Sequence, residues 1–450
     1  MIETTRFMTK QSLHIGRIYD AYATSAGVCI DTRQLMPGMV FWALKGSHTD
    51  GDRYVEEALA KGAAFCVTSD ARWKGHPQCE VVKDTLAVLQ QLARYRRRQL
   101  KVPVIAISGS NGKTTTKALV AAILSRRYRV MASPGNYNNH IGLPLSLLQM
   151  RPRNPQVIVV ELGINHVGEI EQLLGIAEPT HGILTNIGRD HMGEFGGIEQ
   201  ILKAYQPFIH YFRHRGLDLF WNAEDELSRK AMVGEKKPTD KTISLEDPEA
   251  DLWGRLIQEV PSLVVRYEKS PLSQSFSVRS PLFGRHHAYN ISMAALTGIL
   301  FHVAIADIQK AIQDTFPVEN RGQVIRTHRA NTLILDAYNA NPDSMRLSLE
   351  SFVRWPGRAK AVILADMEEL GPFAESEHRQ IVEWLQQHAW EQVVVVGPHF
   401  KRVAPTSPPF LAFETTSSLK EWLCRHPLEG LHILLKGSRK HRLEDLVDIL

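Results

Sequence analysis

The stretch Ile105-Ala106-Ile107-Ser108-Gly109-Ser110-Asn111-Gly112-Lys113-Thr114-Thr115-Thr116 limits what this chain can fold into more than any other. Val102 to Ile107 is an apolar run that reads as a buried strand, and a polar, glycine-containing turn breaks it. Lys117 to Leu124 then has the composition of a helix. Strand, glycine turn and helix start form a cradle for phosphate. Backbone N–H groups converge on the anion, the helix N-terminus adds partial positive charge, and a lysine reaches the outer phosphates. Thr114, directly after Lys113, offers a hydroxyl to Mg²⁺. The spacing departs from the general motif: a glycine belongs five positions before Gly112, and Ile107 stands there. What remains is Gly-x-x-Gly-Lys-Thr-Thr. Short glycine turns often only cap helices, so the phosphate reading rests on the strand before the turn and the helix after it.

Around this stretch the composition is that of a globular protein. A chain of 450 residues holds about three domains, and 44% hydrophobic with 22% charged residues is ordinary for a water-exposed fold. Met1 to Gly16 lacks the continuous apolar core of a secretory leader. The longest apolar stretch, Ala294 to Ala306, is interrupted by Thr297 and His302 and is too short to span a bilayer, so no membrane insertion is expected. Cys29, Cys66, Cys79 and Cys424 are scattered without a Cys-x-x-Cys pair, which argues against a zinc site or a disulfide framework and fits a reducing cytoplasm. A net charge of +5 suits phosphorylated substrates and would also suit nucleic acid. The densest basic run, Arg94-Tyr95-Arg96-Arg97-Arg98, reads more simply as a solvated helix end.

Taken in order, the pattern is α/β in three domains. Residues 1–98 form a small α/β domain in which Asp31-Thr32-Arg33, Pro37-Gly38, Lys45-Gly46 and Asp50-Gly51 put polar side chains on loops at one edge. Arg33 has the fork for a phosphate and Thr32 a hydroxyl, although Asp-x-Arg is also a common turn. Residues 99–314 form a central phosphate-loop domain with a parallel sheet. There Asn136 to Pro144 is turn-rich, and Val157-Ile158-Val159-Val160-Glu161 brings an acid to the carboxyl end of a strand, where open parallel sheets bind ligands. Such a carboxylate suits Mg²⁺. The run Gly182 to Gly188 brings Arg189-Asp190-His191 to the same edge, with His191 a candidate metal or phosphate contact. Gly284 to Asn290 opens a helix. Residues 315–450 alternate strands (Leu333–Asp336, Ala361–Leu364, Val393–Val396, His432–Leu435) with helical stretches near 343–354, 375–389, 417–425 and 441–450, a doubly wound, Rossmann-like pattern. Two of its strand ends are rich in reactive side chains: Asp336 to Ser344 and Lys436-Gly437-Ser438-Arg439.

Together these blocks resemble the Mur ligase family, ATP-dependent amide-forming enzymes of bacterial peptidoglycan synthesis, over essentially the whole chain. Ile107 to Thr115 is similar to the family phosphate loop, Asn136 to Pro144 to its second block, Glu161-Leu162-Gly163 to its third, and Asn186 to His191 to its fourth. Gly284-Arg285-His286 with Asn290, then Arg321 and Asp336, are similar to the remaining signatures. Asp336-Ala337-Tyr338-Asn339-Ala340-Asn341-Pro342-Asp343-Ser344-Met345, Ala365 to Gly371 with His378, and Lys436 to Arg439 are most similar to the member that joins D-alanyl-D-alanine to UDP-N-acetylmuramoyl tripeptide. The amino-terminal loops resemble the domain that holds the UDP end.

The resemblance implies a set of roles. Gly109, Ser110, Asn111, Gly112, Lys113, Thr114, Thr115, Asn138, Asn290, Arg321 and Asp336 would bind ATP, with Asp336 on the ribose. Lys113, Glu161 and His191 would be catalytic, and Thr114, Glu161 and His191 would hold Mg²⁺. Thr32, Arg33, Lys45, Asn139, Tyr338, Asn339, Asn341 and Ser344 would contact the UDP-tripeptide or the dipeptide. A monomeric cytoplasmic enzyme serving cell-wall synthesis, cell shape and division is implied, with no nucleic-acid partner. A sister amide ligase, the tripeptide-forming enzyme or folylpolyglutamate synthase, is the nearest alternative, and a phosphate-loop switch that binds nucleic acid is one of a different class. Two places depart from the family. A lysine, carbamylated in some members, usually follows the fourth-block histidine by about fourteen residues; here Tyr205 falls there, with Lys203 nearby and Pro207 where an acid is usual. His287 replaces the first amide of the His-Asn-x-x-Asn block, keeping only Asn290.

Overall fold

The computed structural model describes residues 10–46, 49–149, 154–317, 320–357 and 359–450, without the side chains of 10–14. Residues 1–9 of the stretch read above for a leader lie outside the described residues. The chain forms two compact units, one of Met1–Ala106, Tyr128–Gly163 and Glu169–Thr180, the other of Ile107–Arg127, Ile164–Gly168 and His181–Leu450.

The first unit carries a four-stranded parallel sheet in chain order, Val28–Cys29, Val40–Trp42, Phe65–Thr68 and Cys79–Val81. Phe41, Ala43, Val55, Ala58 and Cys66 close its core. The helix Thr85–Gln99 starts at Asp84, whose carboxylate accepts from Ala87 N at 2.9 Å. Its basic end is not simply solvated. Arg97 is buried and donates to the carbonyls of Ala177 (2.8 Å), Leu100 (2.7 Å) and Glu178 (2.9 Å), while Arg94 and Arg98 both pair with the Glu178 carboxylate. The run ties helix ends together. Strands Val130–Ala132 and Val157–Glu161 pair in parallel in the same unit.

In the second unit the helix Lys113–Leu124 packs against the almost wholly buried helix Arg285–Leu300. Gly298 permits the approach, since a Cβ there would lie 2.5 Å from Ile123 Cγ2. Strands His181–Leu184, Asp218–Asn222, Asp240–Ser244 and Leu252–Gln258 follow one another in parallel. An antiparallel ribbon, Leu252–Gln258 with Leu263–Lys269 and Phe276–Ser280, extends the sheet; the sequence reading passed over it, although Phe276–Ser280 alternates buried and exposed residues strictly. The carboxy-terminal sheet runs in the order Gln323–Arg326, Thr332–Asp336, His432–Lys436, Lys360–Ala365, Gln392–Val396, Phe410–Phe413, parallel except at its first, edge strand. This is the doubly wound domain expected. The helix expected near 441–450 is instead a pair of 3-10 turns, Arg439–His441 and Leu443–Leu446, separated by Arg442 at φ +49°. Breaking the helix there lets Leu443, Leu446 and Leu450 all enter the core.

Candidate active site

The phosphate loop leaves its strand, Val104–Ser108, at Gly109 and enters its helix at Gly112, with φ of +133° and +81°. Both glycines are required. A Cβ on Gly109 would lie 2.0 Å from Thr185 Oγ1, and one on Gly112 would lie 2.5 Å from Asn290 Oδ1. Thr185 Oγ1 donates to the Asn111 carbonyl at 2.7 Å and Asn111 N donates to Asn186 Oδ1 at 3.0 Å, so the loop is pinned to the end of the neighbouring strand. Lys113 Nζ lies over the turn, donating to the carbonyls of Gly109 at 2.5 Å and Ser110 at 2.9 Å. Thr114 and Thr115 are buried in the first helical turn. Asn290 lies against Gly112, and His287 Nδ1 sits 3.3 Å from its amide nitrogen. Burial holds the His287 ring well below the usual histidine range, so it is neutral and serves Asn290 from the place where the family carries an amide.

Behind the loop, Ser110 Oγ donates to Asp190 Oδ1 at 2.7 Å, accepts from Gly188 N at 2.8 Å and lies 3.4 Å from the Tyr205 hydroxyl. Burial pushes the Asp190 carboxyl up, against the pull of the Lys113 and His191 charges. Tyr205, also buried, has its phenol driven well above its ordinary value by the same desolvation. Tyr205 therefore holds the position facing the loop, while Lys203 is exposed; the register that would substitute Lys203 is not the one adopted. His191 Nδ1 sits 2.6 Å from Glu369 Oε2. Burial opposes a charged ring, but the Glu369 hydrogen bond and the Asp190 charge outweigh it and raise the His191 pKa.

The carboxy-terminal residues reach the same loop. Asn341 Nδ2 donates to Asn111 Oδ1 at 3.0 Å, and Asn341 and Ser344 also form a reciprocal capping box at the start of the helix Pro342–Val353. Arg189 binds Asp343 through its backbone N–H at 2.7 Å and its Nε at 2.8 Å, and pairs with Glu377 at 3.2 Å. The Arg321 guanidinium stacks 3.7 Å from the centre of the Tyr338 ring, with Arg439 at 5.5 Å. Asn339 Oδ1 accepts from Ala340 N at 2.9 Å, a local turn contact. Asp336 Oδ2 accepts from Lys436 Nζ at 2.6 Å and from Ser348 Oγ at 2.9 Å. Burial raises the Asp336 carboxyl, but the Lys436 charge wins and leaves it below the usual range.

The remaining expected residues lie in the first unit. Glu161 is buried at the end of its strand and accepts from Asn138 Nδ2 at 2.9 Å. Asn139 Oδ1 accepts from Ile141 N and Gly142 N and so starts the helix Gly142–Gln149. Arg33 forms a two-pronged pair with Asp31, holding that carboxyl at about 2, in the turn the Asp-x-Arg spacing suggests. Thr32 is buried, and Lys45 lies 3.5 Å from Asp52. Sequence reasoning left Arg189, Asp190 and Glu369 out of the site. All three lie in blocks that carry the resemblance, Asn186 to His191 and Ala365 to Gly371, but nothing local pairs Glu369 with His191, 178 positions away.

Among the described residues no three His, Cys, Asp or Glu side chains gather into a metal cage. A hydroxyl in the first helical turn and single carboxylates at strand ends are nevertheless what Mg²⁺ uses when a nucleotide's phosphates and water supply its other ligands.

A positive-φ glycine loop, a lysine over it and a doubly wound domain bonded to its rim define a phosphate-loop enzyme. The chain belongs to the Mur ligase family: it matches the Mur ligase family catalytic domain over residues 24–107, the Mur ligase middle domain over 107–298 and the Mur ligase glutamate ligase domain over 320–439. It is an ATP-dependent, ADP-forming ligase. It is 31% identical to the UDP-N-acetylmuramoyl-tripeptide–D-alanyl-D-alanine ligase of Bacillus subtilis, across 94% of this chain and 92% of that one. It is 30% identical to the Escherichia coli ligase of the same name, across 97% and 96%. Among solved structures it is similar to MurF from Acinetobacter baumannii, with a TM-score of 0.84, 28% identity and coverage of 96% and 97%. No helix among the described residues is long and apolar enough to cross a membrane.

Proposed function

We propose that this enzyme joins D-alanyl-D-alanine to UDP-N-acetylmuramoyl tripeptide at the expense of ATP, in the cytoplasm and as a monomer, in the making of the peptidoglycan precursor on which cell shape and division depend. The observation that carries this reading is the end-to-end similarity to ligases of that activity at about 30% identity, over a phosphate loop with its lysine in place. An amide forms from a carboxylate only after the poor leaving oxygen is made a good one. The tripeptide's terminal carboxylate attacks the γ-phosphorus of ATP, ADP leaves, and an acyl phosphate results. The dipeptide's amine then attacks the acyl carbon, inorganic phosphate leaves and the amine's proton is lost to solvent.

Phosphoryl transfer needs in-line placement and charge neutralisation more than covalent help. Lys113 serves the β- and γ-phosphates, and the loop amides of Gly109 to Thr115 the rest of the chain of phosphates. Mg²⁺ would supply neutralisation of phosphate charge; Thr114 and Glu161 would hold it, His191 would hold a second ion directly or through water, and Asn138 would contact phosphate or metal. Asn290 and Arg321 contribute to nucleotide binding, and Asp336 to the ribose. Tyr338, Asn339, Asn341, Ser344 and Asn139 face the peptide substrates, and Thr32, Arg33 and Lys45 the UDP end. Phosphate release measured with D-alanyl-D-alanine against single amino acids tests the reading. The dipeptide alone should support turnover; preference for a single amino acid would move the chain to a sister ligase. Lys113→Ala should abolish release while its thermal melt stays that of the native fold.

A further inference from the structure

Two loops meet at His191 with backbone that side chains seldom adopt. His191 has φ +50°, and Glu369, in the loop after the strand Lys360–Ala365, has φ +65°. Such conformations persist where the surroundings impose them and gather at working sites. Here each loop restrains the other. Gly193 N–H donates to the Glu369 carbonyl at 2.9 Å, a Cβ on Gly193 would lie 2.8 Å from Gly371 N, and Glu369 Oε2 is 2.6 Å from His191 Nδ1. The Glu369 side chain is 54% exposed and that of His191 only 19%. Glu369 therefore adds little to a core; its contact with the ring is what it offers.

We propose that Glu369 is a positioning residue for His191, accepting the Nδ1 proton and so fixing the tautomer and rotation of the ring, with Nε2 left as the atom presented to the phosphate-loop ligands. A carboxylate on the far nitrogen is the usual way a ligand-binding imidazole is oriented, and loss of such a partner typically costs about ten- to a hundredfold in activity or metal affinity. Glu369 belongs to the stretch after residue 315 and His191 to the stretch before it, so the ring is set only when the two stretches are docked, as Arg189 with Asp343 and Gly193 with Glu369 dock them here. The inference rests on the ligase reading for what His191 does, and on geometry alone for how it is held.

The test uses the full chain with ¹⁵N-labelled histidine, the His191 imidazole being assigned by its loss in His191→Asn. In buffer alkaline enough to leave the ring neutral, wild type should show the Nδ1-protonated tautomer with and without ADP and Mg²⁺. Glu369→Ala should give averaged tautomers and a kcat about ten- to a hundredfold lower, with KM for ATP little changed. Glu369→Gln, whose amide oxygen still accepts the Nδ1 proton, should recover the tautomer and most of kcat. An unchanged tautomer in Glu369→Ala, a glutamine variant no better than alanine, or a loss confined to KM would overturn the proposal. Thermal melts accompany each variant, and if the alanine variant does not fold, glutamine against wild type decides by the same two readouts. Absence of amine-dependent phosphate release in wild type would sink the ligase reading instead, and the tautomer comparison would still stand.

Discussion

Lys113 shows how much of a site one residue type and its spacing can disclose. Its place after Gly112 in a strand–turn–helix was legible because phosphate cradling depends on backbone amides and a local helix end, features encoded within a few neighbouring residues. Gly112 makes the same point for conformation. At φ +81°, with Asn290 closing on its Cα, Gly112→Ala meets both a left-handed backbone cost of about 1–2 kcal/mol and a steric one. Urea unfolding should show at least that loss, and ATP binding by calorimetry should disappear with it. The partners of Arg189, Asp190 and Glu369 were not legible. What these residues do is set by partners brought near by tertiary packing: Ser110 for Asp190, Asp343 and Glu377 for Arg189, His191 for Glu369. A carboxylate's sequence neighbours do not record such partners.

Elements were read well where one local rule decided them. Alternating strands and helices after residue 330 gave the doubly wound sheet; the cap expected at Asp343 or Ser344 falls instead on Asn341, with Ser344 as its capping-box partner. Asn341→Ala should cost about 1 kcal/mol through loss of the cap, read as a lower urea midpoint, together with the contact to Asn111. Elements were misread where packing overrode pattern. Residues 441–450 turn twice to bury three leucines, and Arg97 is drawn into the interior by three carbonyls. The strand ends at Asp336 and Lys436 add an electrostatic prediction. The Asp336 carboxyl is lower in the folded state than in the unfolded one. Its stabilising contribution is then complete above the unfolded aspartate value of about 3.9 and drains away as pH falls through the folded value. Asp336→Asn should lower stability at neutral pH, and its difference from wild type should shrink as the medium is acidified below about pH 4.

Across the molecule, chemistry depends on the later stretch of chain reaching the phosphate loop, which it does through Asn341 on Asn111, Asp343 and Glu377 on Arg189, and Glu369 on His191. An acyl phosphate left in water hydrolyses, and ties of this kind would hold water from it until the amine arrives. Arg189→Ala removes the guanidinium's bonds to Asp343 and Glu377 and leaves the backbone N–H on Asp343. It should raise phosphate released per amide formed, measured by following phosphate and ligated product together, while nucleotide binding changes little. Tyr205 carries one further consequence. Buried against Ser110 with its phenol held neutral, it offers no amine for gas uptake at the corner of the loop. Stripping the buffer of dissolved CO₂, or charging it with bicarbonate, should therefore leave turnover where it was.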